Sequence, residues 1–370
     1  MIYLFVFIVL AIIGGIDLIK LSKEQVYLKT FLLFFAFAIL VFFAGLRYNT
    51  GPDWRDYNNF FNEIFPLYDF GRTSPAVREI LEPGFIALVS FFKTIVNHNQ
   101  FVFLGLAFTS LTLVFLRIKE YSLFPLATVF CYYMYGYPDN FSILRQVLSI
   151  SIFFWSVKYI VNKNYIKYYV CVILACCFHN SALILFPLYF ILNKRWKSKY
   201  ILLAFLIAIL CYQFNVVSQL FTYALSSMGG MLARYSDYLT NESLSKPKLL
   251  GTLFIERTLI LGLLLYKREE FERRQKYFNV FLNIFILYNV SYLVLSQVFV
   301  LLRFIQYFAF ASCILYPFLL IYFKEAYGKY IVYAGIIFIL FFRGYTALIL
   351  DGKDGDNPNR YLPYRSVIES

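Results

Sequence analysis

The strongest constraint on this chain is a succession of apolar runs close to the length of a bilayer crossing. They fall at about 2–18, 27–46, 84–96, 101–116, 123–135, 143–161, 168–192, 201–217, 251–266, 277–295, 300–323 and 330–350. A hydrocarbon core of about 30 Å needs about 20 apolar residues per helix, and only helices or closed barrels satisfy every backbone polar group in lipid. The expected fold is therefore all-α: a polytopic integral membrane protein of roughly ten to twelve transmembrane helices, forming one domain over 1–370. Charged residues are 15% of the chain, against about 25% in soluble domains. Aromatic residues reach 22%, which suits lipid-facing helices and interfacial belts. Ile2–Ile16 lacks a basic leader and an A-x-A site, so it reads as a retained span. The six cysteines all lie in apolar runs and read as small core residues.

Lysines and arginines in short loops set orientation. Lys29 with Lys20 and Lys23, the group Lys194, Arg195, Lys197 and Lys199, and the group Lys267, Arg268, Arg273, Arg274 and Lys276 mark cytoplasmic loops. Both chain ends and the two longer polar segments, about 47–83 and 218–250, then fall outside. Arg117, Lys119, Lys158, Lys163 and Lys167 also favour the inside. That is satisfied if 84–96 does not cross and 168–192 is a hairpin turning near His179; the competing arrangement makes both ordinary spans. The net charge of +13 is divided among these loops instead of forming one patch, so nucleic acid is not an expected partner.

A charge kept in hydrocarbon costs about 2.5–3.5 kcal/mol and needs a reason to be there. Arg47, Arg145, Glu256, Arg257, Arg303 and Arg343 all fall near the outer ends of apolar runs. Snorkelling accounts for one such residue, but not for the shared face. Arginines converging there would make an anion site, because a guanidinium presents a planar fork matched to phosphate. Arg303 recurs at helical spacing with Gln306, Tyr307 and Phe310, a stripe that also suits interhelical hydrogen bonds. Glu256 could simply neutralise Arg257.

The first outer segment opens with Gly45-Leu46-Arg47-Tyr48 and continues through Gly51-Pro52-Asp53-Trp54 to Tyr57. Rings beside carboxylates can hold a sugar, whereas an interfacial belt with a helix cap at Asp53 needs no ligand. Glu82, before Pro83-Gly84, is a candidate general base or only a helix-initiating acid. His179 is a candidate catalyst or a packed, hydrogen-bonded residue. The second outer segment holds Arg234-Tyr235 and suits a flap over an anionic substrate. Walker A, H-E-x-x-H, G-x-S-x-G, D-x-D and Cys/His metal spacings are absent, so no metal site or cofactor is expected.

Gly45-Leu46-Arg47-Tyr48 through Gly51, Asp53 and Tyr57, Glu82-Pro83-Gly84-Phe85, Arg145-Gln146 and Phe178-His179-Asn180-Ser181-Ala182 together resemble the EpsG-type polysaccharide polymerases, related to bacterial Wzy polymerases. Arg303 is a looser match in the second half. The resemblance implies a GT-C-like architecture in the bacterial inner membrane. It implies a multi-pass glycosyltransferase that joins oligosaccharide repeat units carried on undecaprenyl pyrophosphate, at the periplasmic or outer face. Exopolysaccharide, capsule or O-antigen would be the product, and a chain-length regulator protein a further partner.

In that chemistry Glu82, Asp53 and His179 are candidate bases, and Arg145 stabilises the leaving group. Arg47, Tyr48, Trp54, Tyr57, Gln146, Arg234, Arg257, Arg303 and Tyr307 would bind substrate. The rivals are a flippase for lipid-linked sugars, a ligase using the same donor, and an acyltransferase built on His179. A flippase should show polar groups at the midplane and internal repeats, and neither is visible.

Overall fold

A computed structural model of the chain describes residues 2–19, 26–228, 251–345 and 361–368. All regular structure among them is helical, and one isolated β-bridge joins Arg47 to Ser366. Six helices are long and apolar enough to cross a membrane: Tyr27–Gly45, Asn99–Tyr121, Leu144–Val161, Phe278–Leu295, Phe299–Ile321 and Ala326–Tyr345. A seventh span is possible if Ser198–Gln213 and Val216–Ala224, bent by 60°, count as one. The chain is an all-α polytopic membrane protein, although not every apolar run becomes a full-length helix. Two compact units divide it, 1–186 with 312–370, and 187–311.

The first unit contains α1 (Ile2–Gly15), α2 (Val26–Gly45), α3 (Trp54–Glu63), α4 (Pro75–Ile80), α5 (Pro83–Ile95), α6 (Asn99–Tyr121), α7 (Pro125–Tyr135), α8 (Leu144–Val161) and α9 (Tyr165–Cys176). Helix α1 packs antiparallel to α7. Tyr133 donates to the Tyr3 carbonyl at one end (3.0 Å), and at the other Asp17 accepts from the Leu126 and Ala127 amides (2.7 and 3.1 Å). Pro125 starts α7 without an N–H to satisfy, and the Asp17 carboxylate fills the next two orphan donors. Lys29 completes the arrangement at 2.9 Å.

The hydrogen bonds also fix which ends share a face. Gln100 donates to the Gly45 and Arg47 carbonyls (2.5 and 3.2 Å), so α6 starts where α2 ends. Lys119 reaches Thr30 and the Lys158 amide reaches Tyr121, so the ends of α6 and α8 lie on the Asp17 face. Between α2 and α6, α5 is a helix of 13 residues, about 20 Å long and shorter than a bilayer core. Its last turn returns to α3 through Lys93 and the Phe61 carbonyl, so it starts and ends on the Arg47 face. Past α9 the chain reverses: Tyr168 donates to Leu185 (2.7 Å) and Tyr169 to Phe186 (3.2 Å). Residues 84–96 thus do not cross, and the chain turns back near His179, which puts Arg117, Lys119 and Lys158 with Lys29.

The segment 47–83 is not an open loop. Trp54, Tyr57 and Phe61 of α3 are buried with Val77, Leu81, Phe85, Val89, Phe103, Leu144 and Leu148. In the second unit, Val216–Met228 carries helix into the expected outer segment. Arg234, with the rest of 229–250, lies outside the described residues.

Asp17→Ala should lower stability by about 2–4 kcal/mol, because it strands two buried amides and a lysine. Asp69→Ala, which breaks the exposed pair with Arg72, should cost no more than about 0.5 kcal/mol. Thermal unfolding of the purified variants in detergent compares the two.

Candidate functional site

Three segments distant in sequence meet on the Arg47 face of the first unit. Glu82 occupies the position before α5, but its side chain makes no cap hydrogen bond to that helix. The carboxylate turns outward from the helix instead. Its Oε2 accepts from Arg145 Nη1 at 2.7 Å, and its Oε1 accepts from the Asn180 amide at 3.2 Å. Arg145 is the second residue of α8, where Nη1 also approaches the Ile80 carbonyl at 3.4 Å. The Arg145 amide lies 3.5 Å from the Tyr57 hydroxyl. Burial pushes the Tyr57 phenol up against the opposing pull of the Arg145 charge, so it stays neutral near pH 7.

Two glycines make this approach possible. The Gly84 amide donates to the Cys177 carbonyl at 2.8 Å, and a Cβ on Gly84 would sit 2.6 Å from that same oxygen. A methyl group there would push α5 away from the turn that carries His179 and Asn180. Gly51 has φ +103°, and a Cβ there would meet the Phe141 carbonyl at 2.1 Å. It lets the chain turn sharply from the end of α2 into α3.

Glu82 is 7% exposed and Arg145 22%. The carboxylate is therefore enclosed, with both oxygens engaged, while part of the guanidinium remains accessible. That geometry presents a cation, held in orientation by a buried anion, to whatever reaches this face. His179 lies in the adjoining turn, buried, with Nδ1 2.5 Å from the Ser181 hydroxyl and accepting from the Ser181 amide (3.3 Å). Asp53 stands at the start of α3 without capping it through its side chain, and Gln146 is buried in α8.

Several sequence expectations are redirected by burial. The sequence offers Trp54 and Tyr57 as sugar-stacking rings or as an interfacial belt. Instead Trp54 stacks on Phe103 (5.6 Å, 9° between planes) and Tyr57 packs on Phe85, so both ring systems are used inside the protein. Tyr48 is more open and meets Trp54 edge-on at 5.2 Å. Arg47 was expected to meet an anion, but it is 0% exposed. Its guanidinium lies between Phe103 (5.0 Å) and Phe141 (5.1 Å), and Nη1 donates to the Ala44 carbonyl at 2.7 Å. Burial pulls its pKa down to about 10, so it stays charged at neutral pH.

In the second unit, Arg257 is buried over Tyr288 and Tyr292 (4.3 and 4.5 Å), and Tyr307 is fully buried. Arg303 is exposed, so of the two candidate arginines described in that unit, Arg257 and Arg303, it is the more accessible to a solute. Sequence reasoning missed the Asn180 amide as a partner of Glu82, and it missed Gln100 and the tail 361–368. Asn180 lies in a family-like segment, but its backbone amide, like Gln100 and the tail, gives no sequence signal of the contact it makes.

Replacing Gly84 with alanine should therefore cost about 1–3 kcal/mol by overpacking against Cys177, while Gly71→Ala, where a Cβ meets open space, should be nearly neutral. Thermal unfolding in detergent again checks the pair.

No curated protein and no solved structure matches the chain significantly. Residues 30–366 match the family described as "EpsG family", and that stretch contains every segment that builds the site and nearly the whole chain. The chain belongs to the EpsG family, a family of Wzy-like polysaccharide polymerases.

Proposed function

We propose that the chain is a membrane glycosyltransferase that polymerises oligosaccharide repeat units carried on undecaprenyl pyrophosphate, with the Arg47 face of the first unit at the outer side of a bacterial inner membrane. The observation that carries this reading is the Glu82–Arg145 pair closed by the Asn180 amide. It joins three separate family-like segments around one accessible cation. Arg145 binds the donor's pyrophosphate, and Glu82 positions it.

The reaction forms a bond between the anomeric carbon of the growing chain and a hydroxyl of the incoming unit. It breaks the bond from that carbon to the pyrophosphate oxygen, and the lipid pyrophosphate departs with the electron pair. Negative charge grows on the leaving group, so a preoriented guanidinium lowers the barrier most where it is needed. The hydroxyl proton passes to one of the candidate bases, Asp53, His179 or, if it releases Arg145 or Asn180, Glu82. The donor arrives activated, so no nucleotide or metal is called for. Exopolysaccharide, capsule or O-antigen is the product class, and a chain-length regulator is a fitting partner.

Purified protein incubated with a matched lipid pyrophosphate-linked repeat unit should yield a ladder on a gel. Arg145→Ala should abolish it, a loss of about 100-fold or more for a group that stabilises developing charge. Arg145→Lys should recover only part, since lysine lacks the fork. A normal ladder from Arg145→Ala would sink the assignment. Transfer to a single different acceptor would point to a ligase, and flipping in vesicles without a ladder to a flippase. Glu82→Gln, Asp53→Asn and His179→Ala separate the three candidate proton acceptors. Replacing the one that serves as base should lower kcat and remove the acidic limb of the pH–rate profile, whereas replacing a positioning Glu82 should raise the donor KM more than it lowers kcat.

A further inference from the structure

The polar tail drew no functional reading from sequence, yet 361–368 is bonded to the segment that leads from α2 into α3. The Tyr48 amide donates to the Arg365 carbonyl at 2.8 Å, and the Val367 amide donates to the Leu46 carbonyl at 3.0 Å. These two bonds frame the antiparallel bridge between Arg47 and Ser366. The Arg365 amide donates to the Thr50 hydroxyl at 3.1 Å, and the Tyr364 hydroxyl donates to the Phe43 carbonyl at 3.0 Å. The Tyr364 ring also packs on Phe43 (4.7 Å) and Tyr3 (6.0 Å). Tyr361 helps wall a cavity of about 70 Å³ with Tyr3, Tyr133, Tyr137 and Phe141.

What the tail holds is the start of the site. Leu46–Thr50 leads into α3, and Asn49 accepts from Arg55 of that helix at 3.0 Å. Helix α3 in turn supplies Tyr57 beside Arg145. The same docking accompanies the burial of Arg47, two of whose nitrogens, Nε and Nη2, make no hydrogen bond among the described residues. A buried guanidinium with unused donors gains from water as soon as water can reach it. Its burial therefore needs something to hold the cover in place, and backbone bonds to a strand-like segment can do that without any particular side-chain sequence. The family match runs to residue 366, into this segment.

We propose that 361–368 is a positioning strap: it seals Arg47, fixes the Leu46–Thr50 segment and thereby sets the Tyr57–Arg145–Glu82 contact. Its bearing on polymer length rests on the polymerase reading, whereas its bearing on Arg47 does not.

Two readouts test it. The first is modification of Arg47 by phenylglyoxal, followed by site-resolved mass spectrometry in detergent. The second is the ladder assay. The variants are a chain ending at residue 360 and, because that chain could fail to fold, full-length Thr50→Val and Tyr364→Phe. Each point substitution removes one hydrogen bond between the tail and the body (Thr50→Val also removes the local bond from the Thr50 hydroxyl to the Tyr48 carbonyl) and should raise the undocked fraction about fivefold. Arg47 modification is expected to rise in that proportion and to rise further in the shortened chain, while polymer length falls in the same order. Unchanged Arg47 modification in Thr50→Val and Tyr364→Phe overturns the strap. Raised modification with wild-type polymer length overturns its role in the site. If the wild type makes no ladder, the polymerase reading fails, and the labelling still decides whether the tail seals Arg47.

Discussion

A guanidinium at the end of an apolar helix needs an anion or water, and Arg145 has both: a buried carboxylate on one edge and an accessible edge on the other. Much of the first unit is arranged around that pair. To bring Glu82 to α8, the chain leaves α2 at Gly45 and turns at Gly51, folds the segment 47–83 into a helical cap, and enters a helix too short to cross. To close the second oxygen, α9 stops at Cys176 and the chain turns so that the Asn180 amide points at Glu82. Each irregular element has a polar backbone group to satisfy, and each is tolerated because it is buried in protein.

The contrast between Arg47 and Arg145 shows how similar sequence positions acquire different work. Both arginines follow or begin an apolar run and both lie in family-like segments. Arg47 is enclosed by aromatic rings and has no carboxylate within ion-pair distance among the described residues, where its charge is held by ring faces and one carbonyl. Arg145 is given a carboxylate and left partly open. A ligand can therefore reach one without rearrangement and the other only if its cover moves.

The fold class was legible because hydropathy integrates over many residues, and a bilayer leaves the backbone few choices. The short helix at 84–96 and the reversal near His179 were also legible, from run length and from the placement of Arg117 and Lys158. The Glu82–Arg145 contact was not, since a salt bridge between residues 63 apart leaves no periodic trace. Trp54 and Tyr57 stayed ambiguous for a related reason. Alternating rings and carboxylates look alike in sequence whether the rings face a sugar or a core, and only packing against Phe103 and Phe85 decides it. The tail escaped notice because the bonds that align it with Leu46–Tyr48 are made by backbone, which any residue supplies.

The most direct test of Arg145 as the pyrophosphate ligand is binding without turnover. Native mass spectrometry of the purified protein with undecaprenyl pyrophosphate and, separately, undecaprenyl monophosphate would count bound lipid. Wild type is expected to prefer the pyrophosphate, and Arg145→Ala to lose that preference while keeping its fold. Equal pyrophosphate retention by Arg145→Ala would contradict the assignment.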